Sequence, residues 1–310
     1  MKKRPRIIAG LLFCILVVAS VALLWPGERE PEYKGRTLTQ WIVLHDRATG
    51  AESVHKSAYD PSTLWEADNA VHHIGTNALP WLIKWIQSVP SRSRWRQKTA
   101  DALDKLPGEL WDRKPVDSSL DDPAQTRLGV AGWGFYILGS NANAAVPELT
   151  RLANDRTLPQ ISRNAAMGAL TSIGEAGAPI LLAILSDRTH PNRSEAAGDI
   201  GHARLGTNAD FAVHLLAKCV ADPDTATAER AAMSLRYVRI NPEVSVPALA
   251  QGLRRPSDGL RIACAWSLSG YGEQARPALP VLTVMLGDSN WNVRISATNA
   301  CSKIAPDVLK

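Results

Sequence analysis

Apolar residues along most of this chain recur three, four and seven places apart, the spacing of one helix face. The helices this predicts alternate between two kinds. One kind begins in "LPWLIKWI", "VPELTRLA", "APILLAIL", "AVHLLAKCV", "VPALAQGL" and "LPVLTVML". Pro80, Pro147, Pro179, Pro247 and Pro280 mark the start of these segments, and Val213 holds that place in the fourth. Proline suits a first helical turn, where its missing N–H costs no hydrogen bond. Two places on stands a leucine every time: Leu82, Leu149, Leu181, Leu215, Leu249 and Leu282. The leucines predict the core stripe of a short second helix.

The other kind is keyed by arginine. Arg96, Arg127, Arg163, Arg193, Arg230, Arg261 and Arg294 recur at intervals of 31, 36, 30, 37, 31 and 33. Seven places after the arginine come Leu103, Leu170, Ile200, Tyr237, Leu268 and Cys301, and ten places after come Leu106, Ile137, Ile173, Ala203, Ile240, Tyr271 and Ile304. Together they predict the buried face of a first helix. Breakers such as "SIGEAGAP" and "SGYGEQARP" then end it. Asp121, Asp187, Asp224 and Asp288 each precede an arginine by six places, so the acid closing one hairpin and the arginine opening the next are expected to tie neighbouring turns. Two short helices in about 33 residues cannot bury their own apolar face, whereas stacked pairs can, which predicts an all-α solenoid of about seven hairpins. Three units depart from the pattern. The first lacks the arginine, "LPGELWDRKPVDSSLDDP" hides any second helix, and "SEAAGDIGHARLG" sets Asp199 on the core face.

The phrases "VRISATNACSKIAP", "LRIACAWSLSGYGEQARPALPVLTVMLGD" and "ISRNAAMGALTSIGEAGAPILLAILSD" resemble HEAT repeats of the short bacterial, phycobilisome-lyase-like type, over residues 62–307. The resemblance implies a right-handed superhelix whose second helices line a concave groove. It also implies a binding role, since such solenoids mostly grip proteins. A lyase-like enzyme with an unrecognised site is the alternative. "YKGRTLTQW" resembles a phrase that follows the leader in exported bacterial HEAT proteins, and "TLTQWIVLHD" is expected to cap the first repeat.

Residues 1–26 form a separate unit. "MKKRPR" carries four cations, and residues 7–25 contain no charge. As a helix at about 1.5 Å per residue this run nearly spans a bilayer. The basic flank predicts a cytoplasmic start and a periplasmic, single-pass arrangement. Cleavage near Ala22, at Ser20-Val21-Ala22, is the competing expectation. Residues 27–61 read as tether and capping segment, and 62–310 as the solenoid. The leader also explains the charge: without Lys2, Lys3, Arg4 and Arg6, 31 basic residues face 30 acidic ones, and the net +5 falls to +1. Nucleic acid is therefore not an expected partner, unless the body were cytoplasmic.

Candidate chemistry is sparse. Cys14, Cys219, Cys264 and Cys301 form no CxxC pair, and "ADPDTAT" is too short of oxygen ligands for a calcium loop. His45, His55, His72, His73, His190, His202 and His214 are never followed by glutamate, which separates the chain from the di-iron deoxyhypusine hydroxylases built on His-Glu pairs. No serine sits in a GxSxG elbow. A non-enzymatic scaffold without cofactor or metal is expected, binding a protein or peptide, with the membrane reached through the N-terminal helix. Its groove is expected to present Trp81, Trp85, Ile180, Ile184, Val281 and Met285 at the first and fifth places after the segment start. "SRSRWRQK", with Arg92, Arg94 and Trp95, is a second candidate, for acidic partner segments or lipid headgroups.

Overall fold

In a computed structural model the chain is described over residues 29–49, 60–88 and 123–306. Among these the only strands are Glu32–Tyr33 (β1) and Arg36–Thr37 (β2), paired antiparallel. The turn between them puts Lys34 at φ 47° and Gly35 at φ 75°, the two left-handed residues of a tight hairpin. Fourteen α-helices follow among the described residues. They are α1 (Leu38–Thr49), α2 (Pro61–Ile74), α3 (Leu79–Ile86), α4 (Pro123–Leu138), α5 (Val146–Asn154), α6 (Gln160–Ile173) and α7 (Ala178–Ser186). They continue as α8 (Arg193–Ile200), α9 (Ala209–Cys219), α10 (Thr225–Val238), α11 (Pro242–Gly252), α12 (Asp258–Leu268), α13 (Leu279–Met285) and α14 (Trp291–Ile304).

From α2 to α13 the helices pair as hairpins, and α14 adds one more first helix. Each first helix packs on the next first helix, and each second helix packs on the first helix that follows it. That repeated contact makes the chain an all-α solenoid. Among the described residues no helix is long and apolar enough to cross a membrane. The apolar leader lies outside them.

The second-helix leucines behave as their spacing demands. Leu82, Leu149, Leu181, Leu249 and Leu282 are wholly buried. The fourth segment corrects the expected register by one place: Leu216 is buried and Leu215 only half-buried. His214, not Val213, therefore stands where the other segments have proline. A second slip occurs in the following helix. Leu235 is buried while Tyr237 is 46% exposed, so the core face of α10 lies two residues earlier than Arg230 implied. Thr227 and Ala228 take the place of the keying arginine there. The interval of 37 before Arg230 was the trace of this slip.

First helices approach closely because their facing residues are small. Ala196, Ala197, Ala231, Ala232, Ala265 and Ala300 are buried between layers. Hydroxyls then satisfy carbonyls on the neighbouring helix: Ser234 Oγ donates to Ala197 O at 2.6 Å, and Ser267 Oγ to Ala232 O at 2.7 Å. Gly201 is required at this distance, since a Cβ there would lie 2.8 Å from Ser234 Cα.

The arginines do tie neighbouring turns, but among the described residues the acid six places before is the partner only at Arg294, which donates to the Asp288 carbonyl (2.7 Å). Asp187 Oδ1 instead accepts the Thr189 N–H (2.8 Å), and Asp224 accepts that of Thr227 (3.2 Å). Three arginines reach forward by one layer, while Arg230 reaches back to Glu195 (3.0 Å). Arg163 Nε donates to Asn192 Oδ1 (3.0 Å), Arg193 Nη2 lies 2.6 Å from Asp222 Oδ2, and Arg261 Nε lies 3.1 Å from Asp288 Oδ2. In α10, which lacks its arginine, the tie is replaced from the next turn: Arg255 donates to the carbonyls of Ala221 and Asp222, each at 3.1 Å.

At the N-terminal end the layering differs from expectation. The unit keyed by Arg96, with Leu103 and Leu106, lies outside the described residues. The hairpin α2/α3 stacks directly on α4. Helix α1 closes this end by packing on α2 and α4, with Leu38, Trp41 and Ile42 buried. Trp41 Nε1 donates to Tyr33 O at 3.0 Å, which fastens the small β pair to the end helix.

Candidate interaction face

With the register corrected, the second helices start their count at Pro80, Pro147, Pro179, His214, Pro247 and Pro280. A helix turns about 100° per residue. Relative to the buried second place, the fifth lies only about 60° away, whereas the fourth lies about 160° away. The fifth place is accordingly buried against the neighbouring hairpin: Trp85 and Ile184 are 4% exposed, and Leu152 and Cys219 are also inside. The expectation that Trp85 and Ile184 face water is corrected by this geometry. Met285 is half-buried because α13 has no further second helix beside it among the described residues.

The first place forms a half-buried rim, which includes Trp81, Ile180 and Val281. The Trp81 and Trp85 rings are 6.3 Å apart, and Lys84 Nζ lies 5.0 Å from the Trp81 ring centre. These indoles pack between helices more than they project. Arg92, Arg94 and Trp95 lie outside the described residues.

The outward fourth place holds Lys84, Arg151, Ala183, Lys218, Gln251 and Val284, all exposed. Arg151 is held on its own helix by Glu148 (2.8 Å) and Asp155 (3.3 Å). The hydrogen bond from Arg151 is also what lowers the Glu148 carboxyl below its ordinary pKa. Gln87 donates to the same carboxylate at 3.3 Å and so links α3 to α5.

One place on this face is deeply indented. A cleft of about 590 Å³ opens between the end of α7 and α9, within the range of ligand-binding clefts, about 300–1,000 Å³. Phe211, 58% exposed, forms its wall together with Leu185 and Leu215. Arg188, His214 and Lys218 stand among its lining. Its floor is the Arg193–Asp222 ion pair, with side chains 11% and 6% exposed. Arg193 is further fixed by donating from Nε to Leu185 O (2.8 Å) and from Nη2 to Cys219 Sγ (3.5 Å).

The charges of the floor cancel. Burial works to raise the Asp222 carboxyl, but the Arg193 hydrogen bond, the Asp224 N–H and the nearby guanidinium charge together hold it below its ordinary pKa. Burial raises the Cys219 thiol, despite the opposing Arg193 charge, and so disfavours a reactive thiolate. His214 Nδ1 donates to its own helix carbonyl, Asp210 O, at 2.9 Å. What remains for a ligand is an apolar wall and a cationic rim.

Two other arrangements were not legible in the sequence. His45, on α1, places Nδ1 2.6 Å from Asp68 Oδ1 on α2, while its buried Nε2 has no hydrogen-bond partner. The Trp133 ring centre lies 4.9 Å from that imidazole. No spacing rule joins His45 to Asp68, because they meet only when α1 folds back as the end helix. On the first-helix face, His202, Tyr237 and Trp266 form a row of rings 4.6 and 6.0 Å apart, with Arg236 3.9 Å over Trp266. Among the described residues no three His, Cys, Asp or Glu side chains gather in a way that could hold a metal.

Residues 212–302 match the family model described as HEAT repeats. No curated protein matches the chain. Among solved structures the chain is similar to an engineered protein, at 16% identity and TM-score 0.43, covering 87% of this chain and 96% of that one. It is also similar to a designed armadillo repeat protein in complex with the peptide (KR)4, at 14% identity and TM-score 0.32, covering 86% and 99%. Human deoxyhypusine hydroxylase in complex with glycerol matches at 18% identity and TM-score 0.27, covering 87% and 98%.

Proposed function

We propose that this chain is a non-enzymatic scaffold that binds a protein partner on the face of its second helices, while its N-terminal helix holds it at the cytoplasmic membrane with the solenoid outside. The observation that carries the binding reading is the cleft between α7 and α9, where a largely exposed Phe211 stands among cations above a floor whose charges are already paired. An exposed large apolar side chain at the edge of an indentation of this size fits a binding face. The match of residues 212–302 to HEAT repeats is consistent with it, since most of α9, with Leu215 and Lys218, falls in that stretch. The uncharged run at 7–25 behind a basic flank supports the membrane placement.

The test is affinity capture with the anchored full chain, run beside a variant carrying Phe211→Ala and Lys218→Glu. A discrete partner that is retained by the first and lost by the second supports the scaffold. Identical capture by both contradicts this face. A phosphatase fused after Lys310 should be active outside the cytoplasm, and activity of a cytoplasmic reporter alone would contradict the placement.

A further inference from the structure

Building on the scaffold reading, we infer that the cleft between α7 and α9 receives an extended peptide segment in which apolar side chains alternate with carboxylates. Two features of the cleft select this chemistry together. The first is its apolar wall: Phe211 is 58% exposed and Leu215 half-buried, so a ligand must bring apolar surface to cover them. The second is the sign of the charge around that wall. Arg188 and Lys218 contribute cationic groups, whereas Asp222, the one carboxylate in the lining, lies 2.6 Å from Arg193. Asp210 lies farther out, 3.7 Å from His214.

The floor explains why the ligand is a peptide and not a small free anion. Arg193 is the buried guanidinium, and its donors already point at Leu185 O, Asp222 and Cys219. The remaining cations ring an apolar wall, so an anion without apolar surface would leave Phe211 in water. The outward row of the second helices argues in turn against nucleic acid. It runs Lys84, Arg151, Ala183, Lys218, Gln251, Val284, with Arg151 paired to Glu148, and is not the continuous cationic track that a phosphate backbone follows. An alternating acidic and apolar peptide satisfies both features: one set of side chains covers Phe211 and Leu215, and the carboxylates between them meet Arg188 and Lys218.

The experiment uses the full chain in detergent micelles and three fluorescein-labelled peptides, each of four repeats: Glu-Phe, Gln-Phe and Lys-Phe. Fluorescence anisotropy should show the Glu-Phe peptide binding about tenfold tighter than Gln-Phe, as two exposed ion pairs imply, with Lys-Phe weakest. Arg188→Glu with Lys218→Glu should reverse the order. Phe211→Ala should weaken the Glu-Phe and Gln-Phe peptides alike, about tenfold or more. Equal binding of Glu-Phe and Gln-Phe, preference for Lys-Phe, or an unchanged order in the charge-reversed variant would overturn the inference. If any of these variants lowers the unfolding midpoint, Lys218→Gln alone decides: a reduced preference for Glu-Phe supports the cleft, and an unchanged preference overturns it. A full chain that keeps its cellular partner after the cleft substitutions, while losing peptide selectivity or never showing it, leaves the scaffold standing and removes this cleft from it.

Discussion

The two ends of the described solenoid are held together by different means. From α8 to α14, first helices meet through alanines, and serine or tyrosine hydroxyls reach carbonyls of the preceding layer, as Tyr271 OH does at Leu235 O (2.7 Å). Arginines then lace the turns. From α1 to α4 the contact is made by large apolar side chains. Trp41, Ile42, Leu82, Trp85 and Phe135 are buried there, and Gly134 leaves the space they fill. A Cβ at Gly134 would lie 2.5 Å from Leu82 Cδ2 and 3.1 Å from Ile42 Cδ1. The regular end repeats one contact in every layer. The N-terminal end makes a single contact once, because α1 covers a face that no other described hairpin covers, and an open end would otherwise expose it.

The difference predicts where substitutions hurt. Leu82→Ala removes the knob over Gly134 and should cost about 3–5 kcal/mol, with α1 and α2 losing hydrogen-exchange protection before α12. Equal loss at both ends would mean that they form one cooperative unit. Asp222→Ala in the regular part leaves Arg193 buried and unpaired, which should cost about 3–5 kcal/mol as well. Replacing both partners, as Arg193→Met with Asp222→Leu, should recover most of that in chemical denaturation. If the double variant is as damaged as the single one, the pair is needed for more than charge balance.

The corrected register gives a narrower test. Leu216→Ala should cost about 2–4 kcal/mol, and Leu215→Ala under about 1 kcal/mol on the strength of its partial exposure. Thermal midpoints in the reverse order would restore Val213 as the segment start.

The smallest effect concerns Asp199, where α8 breaks the alanine pattern. Burial, and secondarily Glu195, pushes its pKa from 3.8 up to about 7 against the pull of Arg230. Between those values the folded chain holds a proton that the unfolded chain has released. Stability therefore falls as pH rises through that window. Asp199→Asn should add about 1–3 kcal/mol at pH 8, and the gain should fade below neutrality and vanish near pH 4. A gain independent of pH would place the cause in packing, not in ionisation.

Much of this fold was legible because a repeated contact writes itself into the sequence repeatedly. The leucine two places after each proline is buried as its spacing implies. The errors fell where a unit departs from its neighbours. In the segment around Val213 no proline fixes the count, and α10 lacks its arginine, so the pattern slid by one place and then by two. The direct stacking of α3 on α4 was hidden because Arg96, Leu103 and Leu106 keep the repeat spacing in the sequence between them. Trp85 was misread for a geometric reason: five places from the helix start lies beside the core stripe, not opposite it. The cleft could not be read at all. Phe211, Lys218 and Arg188 come from two hairpins, and only the stacking of α7 beside α9 brings them to one place.

The central claim is that partners are held on the second-helix face, and its rival is the aromatic row on the first helices. Site-specific photo-crosslinking in the anchored full chain separates them. A crosslinking side chain at Leu215, Lys218 or Val284 would probe the second helices, and one at Met233, Trp266 or Ile295 would probe the first. The account predicts one adduct of common mass from positions 215 and 218, a weaker one from 284, and none from the first-helix positions. Adducts confined to 233, 266 and 295 would contradict it and move the binding face to the opposite side of the stack.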